Sequence, residues 1–441
     1  MELTIFVLLA ANILVPAIAT YKSCVSHGLE SNHVAVFTFG YLFYWILPIT
    51  VGASQLLAYN SQLKPFYYLF NHVPASTLNT YLVITLCFYL SFVFGHVMSG
   101  GLRYRIMEKY ADLHFDSRLL IFHLVLGAAA CAVYAYLLRD QLFRGYHIAA
   151  EEFADPLGIR GPFAACCNFL ECVAFVYTVD LEFKLKHIAK FWDIVANRYM
   201  LVASLALLLD LSLGQRHFTL TAACMLLLYR SVFFARLSLR SALLLFVVGL
   251  GAAAAVALIR QEVSFTLVEV IFAEPMFTSL ALVYFLREAS LPLIRFPYLL
   301  LGDLVFIVPR VLMPNKMALM SSLPDAGIPL FNPLGTVHSF LSFMANFGVF
   351  GSFGVAFLLG FLLNVIKSGS RVPLLRVIYI MLSAQLAFSF WRDPFAFSFV
   401  KSMLEFSILI PILICASSNV LSGLVRRRDL RIARRLEEFA R

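Results

Sequence analysis

Apolar runs of about 20 residues recur along almost the whole chain, and they constrain its fold more than any motif within it. A bilayer core about 30 Å thick takes roughly 20 apolar residues to cross as a helix. Lipid offers the backbone no hydrogen-bond partners, so a spanning run of this length has to bond within itself. Such runs occupy 2–20, 34–58, 79–98, 119–138, 162–180, 199–213, 217–232, 242–259, 338–366, 373–390 and 398–418. They predict an all-α protein, a polytopic transmembrane helical bundle of about 11 spans. The pair 199–213 and 217–232 is short, with a tight or broken turn at 214–216. The stretch 260–337 reads as a long, semi-apolar loop region on the outer side. Within it, 266–286 and 293–312 are extra spans, for up to about 13 in all, or helices lying at the interface. The expected organisation is one integral membrane domain over 1–441, ending in a basic cytoplasmic tail at 419–441.

Composition removes the competing classes. The chain is 61% hydrophobic and 13% charged, against about 45–50% and about 25% for soluble domains. A soluble enzyme, a disordered chain and a nucleic-acid-binding module are all excluded by that gap. The 43 Phe and 19 Tyr fit a lipid-facing protein with aromatic interfaces. No basic residue precedes the first segment, Leu3 to Thr20, which reads as a retained span and not a cleaved signal. Seven of the 8 cysteines sit in or beside apolar runs, and neither a disulfide framework nor a metal-type Cys-x-x-Cys pair is present.

Lysine and arginine set the orientation. With the tail inside, alternation puts 99–118, 181–198, 230–240 and 367–376 on the same side. These loops, Lys22 and the tail hold 22 of the 34 basic residues. The N-terminus is then outside and the C-terminus inside. The tail's arginines (Arg426, Arg427, Arg428, Arg431, Arg434 and Arg435) serve topology and attraction to anionic lipid.

Chemistry is sought in charges that the outer side does not need for topology. Arginine at membrane depth costs about 2.5–3.5 kcal/mol on insertion scales. Its planar fork matches phosphate oxygens and stays charged at any physiological pH. Outer-side arginines therefore point to a phosphate-bearing lipid, unless each pairs with Glu262, Glu269, Glu274 or Glu288 or snorkels to water. Arg216 stands out in the turn Gly214-Gln215-Arg216-His217, with no acid nearer in sequence than Asp210. His338 opens a span directly after the Pro- and Gly-broken PDAGIPLFNPLGT. A histidine there can act as general base or orient a hydroxyl near neutral pH. No Asp-x-Asp, Walker loop, dinucleotide turn or Gly-x-Ser-x-Gly elbow occurs, so no metal, ATP or NAD site is expected. The one acidic cluster, Glu151, Glu152 and Asp155, reads as a solvated helix face.

Two segments carry a resemblance: RFPYLLLGDLVFIVPRVLMPNK at 295–316 and NPLGTVHSFLSFMANFGVFG at 332–351. Their pairing resembles the bacterial O-antigen polymerases (Wzy-type), of the wider O-antigen ligase and polymerase superfamily. Pro309, Arg310, Pro314 and Lys316 match the family's Pro-Arg and Pro-x-Lys, and Asn346, Phe347, Gly348 and Gly351 match its Asn-Phe-Gly with a further Gly. The turn at Gly214 and Arg216 resembles the family's Gly-x-Arg turn between two spans. Met313 stands where the family commonly has Trp, and His338-Ser339 looks more like the His-Asn of the ligases.

The resemblance implies a glycosyltransferase C-like enzyme of the bacterial inner membrane with its site on the periplasmic side. Its partners would be undecaprenyl-pyrophosphate-linked oligosaccharide donor and acceptor and membrane lipids, with a chain-length regulator as a candidate and no nucleic acid. No cofactor is implied, because the lipid pyrophosphate is itself the leaving group. The growing glycan would move onto the non-reducing end of the next undecaprenyl-linked repeat unit. His338, Arg216 and Arg310 are the expected catalytic residues; Lys316, Arg160, Arg287 and His217 are expected to bind substrate or pyrophosphate. Two alternatives are an O-antigen ligase, which moves the same donor onto lipid A core, and a lipid-linked oligosaccharide transporter. A transporter of that kind usually shows two related halves, and the sequence shows no internal repeat.

Overall fold

The computed structural model describes residues 3–25, 32–53, 72–101, 117–142, 159–185, 190–213, 216–234, 267–288, 292–308, 312–313, 315 and 339–418. Every regular element among them is helical. In chain order they are α1 (Leu3–Val25), α2 (His33–Tyr41), α3 (Leu47–Ala53), α4 (Ala75–Met98), α5 (Ser117–Leu137), α6 (Arg160–Lys184), α7 (Phe191–Val195) and α8 (Arg198–Ser212). After these come α9 (Arg216–Phe233), α10 (Leu267–Glu288), α11 (Tyr298–Asp303), α12 (Ser339–Ser368), α13 (Pro373–Gln385), α14 (Ser389–Arg392) and α15 (Ala396–Ser418). Among the described residues, 7 helices are long and apolar enough to cross a membrane, and α9 and α13 are shorter apolar helices. The fold is that of a helical membrane protein.

Span 242–259 lies outside the described residues; the described parts of the others are mostly helical, with 34–58 divided by the turn at Leu42–Ile46 and 373–390 divided between α13 and α14. Of the two segments left open, 266–286 forms one 22-residue helix, α10. The other, 293–312, is not a span. Residues 292–297 are irregular, α11 has 6 residues, and a 3₁₀ turn follows at Leu304–Ile307. Pro292 and Pro297 account for this, since neither supplies the N–H that a continuing helix needs.

The chain divides into two compact units. Unit 1 comprises Met1–Arg103, Leu220–Ser368 and Ile380–Glu405. Its most extensive packing is α4 on α12. A Cβ added at Gly95 would lie 2.0 Å from the Phe357 carbonyl oxygen, and one at Gly360 would lie 2.1 Å from that of Phe92. The two helices therefore meet backbone to backbone, as small residues allow where lipid supplies no hydrophobic drive. Beside them sits a block of rings: Phe37 stacks on Phe92 with centroids 3.7 Å apart, and Trp45 meets Trp391 edge-on at 4.7 Å. A π-helical turn at Leu42–Ile46 joins α2 to α3. Such a turn disturbs the carbonyl ladder, and the Ser279 hydroxyl of α10 donates to the Tyr44 carbonyl at 2.6 Å. α10 is buried from Met276 to Val283 and packs on this turn and on α4.

Unit 2 comprises Tyr104–Thr219, Gly369–Tyr379 and Phe406–Arg441. Here α6 lies against α5 and α8. Asn197 caps α8 by accepting from the Tyr199 and Met200 N–H groups, and its amide donates to the Thr178 hydroxyl at 3.0 Å. Near the end of α6, Arg376 donates to Glu182, both buried, and Lys184 pairs with Asp180 at 2.5 Å. α5 turns Phe122, Val125, Leu126 and Val133 outward. An apolar face of that kind on a membrane helix faces lipid.

Candidate functional site

The site is built on α12, which is not one helix. Gly348 has φ +76° and ψ −175°, a conformation open to glycine alone. It splits the element into a half-helix over 339–347 and a second over 349–368. The second half, at about 1.5 Å per residue, is long enough to cross a bilayer by itself. A break leaves N–H and C=O groups without intrahelical partners, and the strand of chain at 292–295 answers them. Val349 N–H donates to the Pro292 carbonyl at 3.1 Å and Phe350 N–H to the Leu293 carbonyl at 3.0 Å. In return, Arg295 N–H donates to the Phe347 carbonyl at 3.0 Å.

Arg295 contributes more than its backbone. Its guanidinium donates to the Ala345 carbonyl at 3.2 Å, placing a cation at the C-terminal end of the first half-helix. That end carries the negative pole of the helix dipole. Asn346 ties the same break to α11: its amide oxygen accepts from Leu300 N–H at 3.0 Å, and its nitrogen donates to the Ser342 carbonyl at 2.8 Å. A Cβ at residue 348 would lie 2.6 Å from the Pro292 oxygen. The Asn-Phe-Gly motif is thus a break in the backbone, with the Asn346 side chain and the Phe347 carbonyl both bonded across it.

The other end of the half-helix, about 13 Å away at nine residues, opens at Ser339, the residue after His338. The buried Ser339 hydroxyl contacts the Ser398 hydroxyl and donates to the Asp393 carbonyl at 3.3 Å. Asp393 follows Arg392 in the short segment between α14 and α15, and the two side chains pair at 3.7 Å. The Ser389 hydroxyl donates to the Asp393 carboxylate at 2.9 Å and lies 3.4 Å from Ser402. Burial pushes the Asp393 carboxyl above its ordinary range, against the opposing pull of Arg392 and Ser389. Beneath the segment, Trp391 is fully buried and donates its indole N–H to the Leu386 carbonyl at 2.6 Å. Phe343 packs on Phe390 and Phe395. An acid, a cation and a line of hydroxyls therefore meet at one helix start, beside Trp391 and the Phe343 cluster.

The sequence-derived candidates fare unequally. His338, Arg310 and Lys316 lie outside the described residues, as do the regions 242–259 and 419–441 and the acidic cluster Glu151, Glu152 and Asp155. Arg216 is the first residue of α9 and His217 the second; nothing more is described of either. Arg160 starts α6 and donates to the Gln141 side chain at 2.8 Å. Arg287 donates to Glu288 at 2.6 Å and lies over the Tyr284 ring at 5.0 Å. For Arg287 the carboxylate pairing anticipated as the plain alternative is what forms. Sequence reasoning did not single out Arg392 and Asp393, although an Arg-Asp-Pro between two apolar runs was a visible signal. Arg295 entered it as the first residue of the segment 295–316. Among the described residues, no group of three or more His, Cys, Asp or Glu side chains is placed to hold a metal ion.

No protein-family model, no curated protein and no solved structure matches this chain.

Proposed function

We propose that the chain is a membrane-embedded glycosyltransferase that polymerises undecaprenyl-pyrophosphate-linked repeat units. The observation that carries this reading is the start of α12: the residue after His338 is joined through Ser339 to the Arg392-Asp393 segment. The far end of the same half-helix is the Asn346-Phe347-Gly348 break. The motif residues Asn346 to Gly348 thus close one end of this half-helix, and the Arg392-Asp393 segment is bonded to Ser339 at its other end.

The chemistry follows from the residue types. The acceptor hydroxyl oxygen attacks the anomeric carbon of the donor's first sugar, and the bond from that carbon to pyrophosphate oxygen breaks. The hydroxyl proton passes to a base, and undecaprenyl pyrophosphate departs with the bonding electron pair. A helix start attracts an anion through its N–H groups and dipole. At the break, the N–H groups of Val349 and Phe350 are already bonded to carbonyls, so the Ser339 end is the anion-seeking one. Arg392, with Arg310 and Lys316 from the Pro-Arg and Pro-x-Lys motif, neutralises the leaving pyrophosphate. Removing one such donor costs about 2.7–4 kcal/mol of transition-state stabilisation. His338 orients the acceptor hydroxyl, and the Asp393 carboxylate takes the proton. Arg295 touches no substrate in this scheme; it positions the half-helix.

The test is a reaction with purified full-length protein in nanodiscs and undecaprenyl-pyrophosphate-linked repeat units, without nucleotide or metal. A ladder spaced by one repeat unit is expected, lost in His338→Ala, Arg310→Ala, Arg392→Ala and the sequence-derived Arg216→Ala at equal protein. Product formed only when lipid A core is added would replace the polymerase reading with the ligase. No product under either condition, with flipping of the substrate in the same discs, would replace both with a transporter.

A further inference from the structure

Unit 2 holds two acids that the proposed reaction does not use. Glu171, in the middle of α6, is 8% exposed and Asp210, on α8, is 0% exposed. The two acids lie on helices that pack against each other. Neither oxygen of Asp210 has a hydrogen-bond donor among the described residues. Asn168 stands one turn before Glu171 on α6, is 6% exposed, and has an amide nitrogen without an acceptor among the described residues. Residues three apart share a helix face. The neighbouring Cys167 reaches the Ala206 carbonyl of α8 at 3.4 Å, so this face is the one turned to α8. Cys131 of α5 completes the surroundings, its sulfur 3.8 Å from that of Cys167.

The basic groups of these helices are engaged elsewhere. Arg160 is bonded to Gln141, Lys184 to Asp180, and Arg198 lies over the Tyr199 ring. Each is more than ten residues from the acid on its own helix, about 16 Å or more along the axis. With no cationic side chain paired to either among the described residues, two buried carboxylates cannot both stay ionised. A proton alone neutralises one of them but leaves an O–H and its sister oxygen unbonded at Asp210, each a costly orphan. A small cation satisfies both oxygens together. Oxygen and nitrogen of an Asn amide exchange by a simple turn. With its amide turned, Asn168 offers an oxygen where its nitrogen now lacks an acceptor.

We propose that Asn168, Glu171 and Asp210 form a binding site for one monovalent metal cation of sodium's size between α6 and α8, with one carboxyl keeping its proton. Oxygen ligands suit a hard cation, and ionisable groups inside a membrane bundle mark such sites.

The experiment is thermal unfolding of the full-length protein in nanodiscs at constant ionic strength, in sodium, potassium or choline chloride. The wild type is expected to gain several degrees in sodium over choline, saturably, with a smaller gain in potassium. Asp210→Asn and Glu171→Gln are near-isosteric and should each abolish the sodium-specific gain while still unfolding cooperatively in choline. Binding of radioactive sodium to the wild type, lost in either variant, reads the site without relying on stability. A wild-type midpoint indifferent to sodium together with no bound sodium would show that protons alone neutralise the pair, and the proposal would fall. It would fall equally if Asp210→Asn and Arg216→Ala proved non-additive in choline, since Asp210 would then have a side-chain counter-charge. The first result does not bear on the polymerase reading; the second would remove Arg216 from its catalytic residues and leave the rest of that reading standing.

Discussion

Two long helices, α12 in unit 1 and α6 in unit 2, solve the same problem in opposite ways. Both are of membrane-crossing length, with 30 and 25 residues. α12 carries no Asp, Glu or Arg, and its polarity comes from opened backbone at Gly348, bonded to the chain at 292–295. α6 keeps an unbroken backbone and carries its polarity on side chains: Asn168, Glu171, Asp180 and Glu182 are all buried. Opened backbone gives fixed dipoles and a break without net charge, whereas buried side chains demand counter-charges. The first arrangement suits gripping and releasing a substrate at a helix end; the second suits holding ions or ion pairs. On the proposed reading, α12 and the Arg392-Asp393 segment of unit 1 serve the transfer chemistry, and α6 and α8 of unit 2 hold the cation site.

The comparison can be broken most forcefully at its charged side. Arg376→Leu leaves Glu182 buried without its partner, and losing one member of such a pair costs about 3–5 kcal/mol. The thermal midpoint should fall sharply, and the double variant Glu182→Met with Arg376→Leu should recover most of the loss. A single variant as stable as the wild type would show that the pair is not what holds this end of α6.

The backbone side is tested next by Gly348→Ala. A residue forced into this conformation costs about 1–3 kcal/mol, and its Cβ would press on the Pro292 oxygen. We expect a lower midpoint and loss of product, whereas Gly354→Ala, six residues on in open space, should leave both intact. Equal behaviour of the two variants would remove the break from the account.

The smallest effect expected is that of Asp393 on pH dependence. Burial raises this carboxyl, so the folded chain holds its proton more tightly than the unfolded one. Its contribution to stability is therefore present below the unfolded value and is lost as pH rises through the folded one. Asp393→Asn should flatten that part of the midpoint-against-pH curve. An unchanged curve would mean that the carboxylate is as well solvated in the fold as outside it.

The helices were legible in the sequence because span length is a one-dimensional property, and apolar runs such as 79–98 and 398–418 need only be counted. The Asn-Phe-Gly motif was legible as a pattern, but not as a break, because a positive φ leaves no mark beyond the glycine itself. Segment 293–312 misled because it is apolar enough for a span, while its prolines and its exchange of hydrogen bonds with α12 forbid one. Arg392 and Asp393 were hidden for a different reason. Their significance comes from Ser339, more than fifty residues away in the chain and brought alongside only by packing. The Glu171 and Asp210 pair was hidden likewise, since each acid alone reads as an interruption of an apolar run.

The most direct test of the division between the units is chain elongation measured in parallel on four nanodisc preparations: wild type, Arg295→Ala, Asp393→Asn and Asp210→Asn. The account predicts a full ladder from wild type and from Asp210→Asn. It predicts little or no product from Asp393→Asn, and a ladder from Arg295→Ala whose rate falls through kcat while substrate binding is kept. Elongation abolished by Asp210→Asn but retained in Asp393→Asn would contradict it.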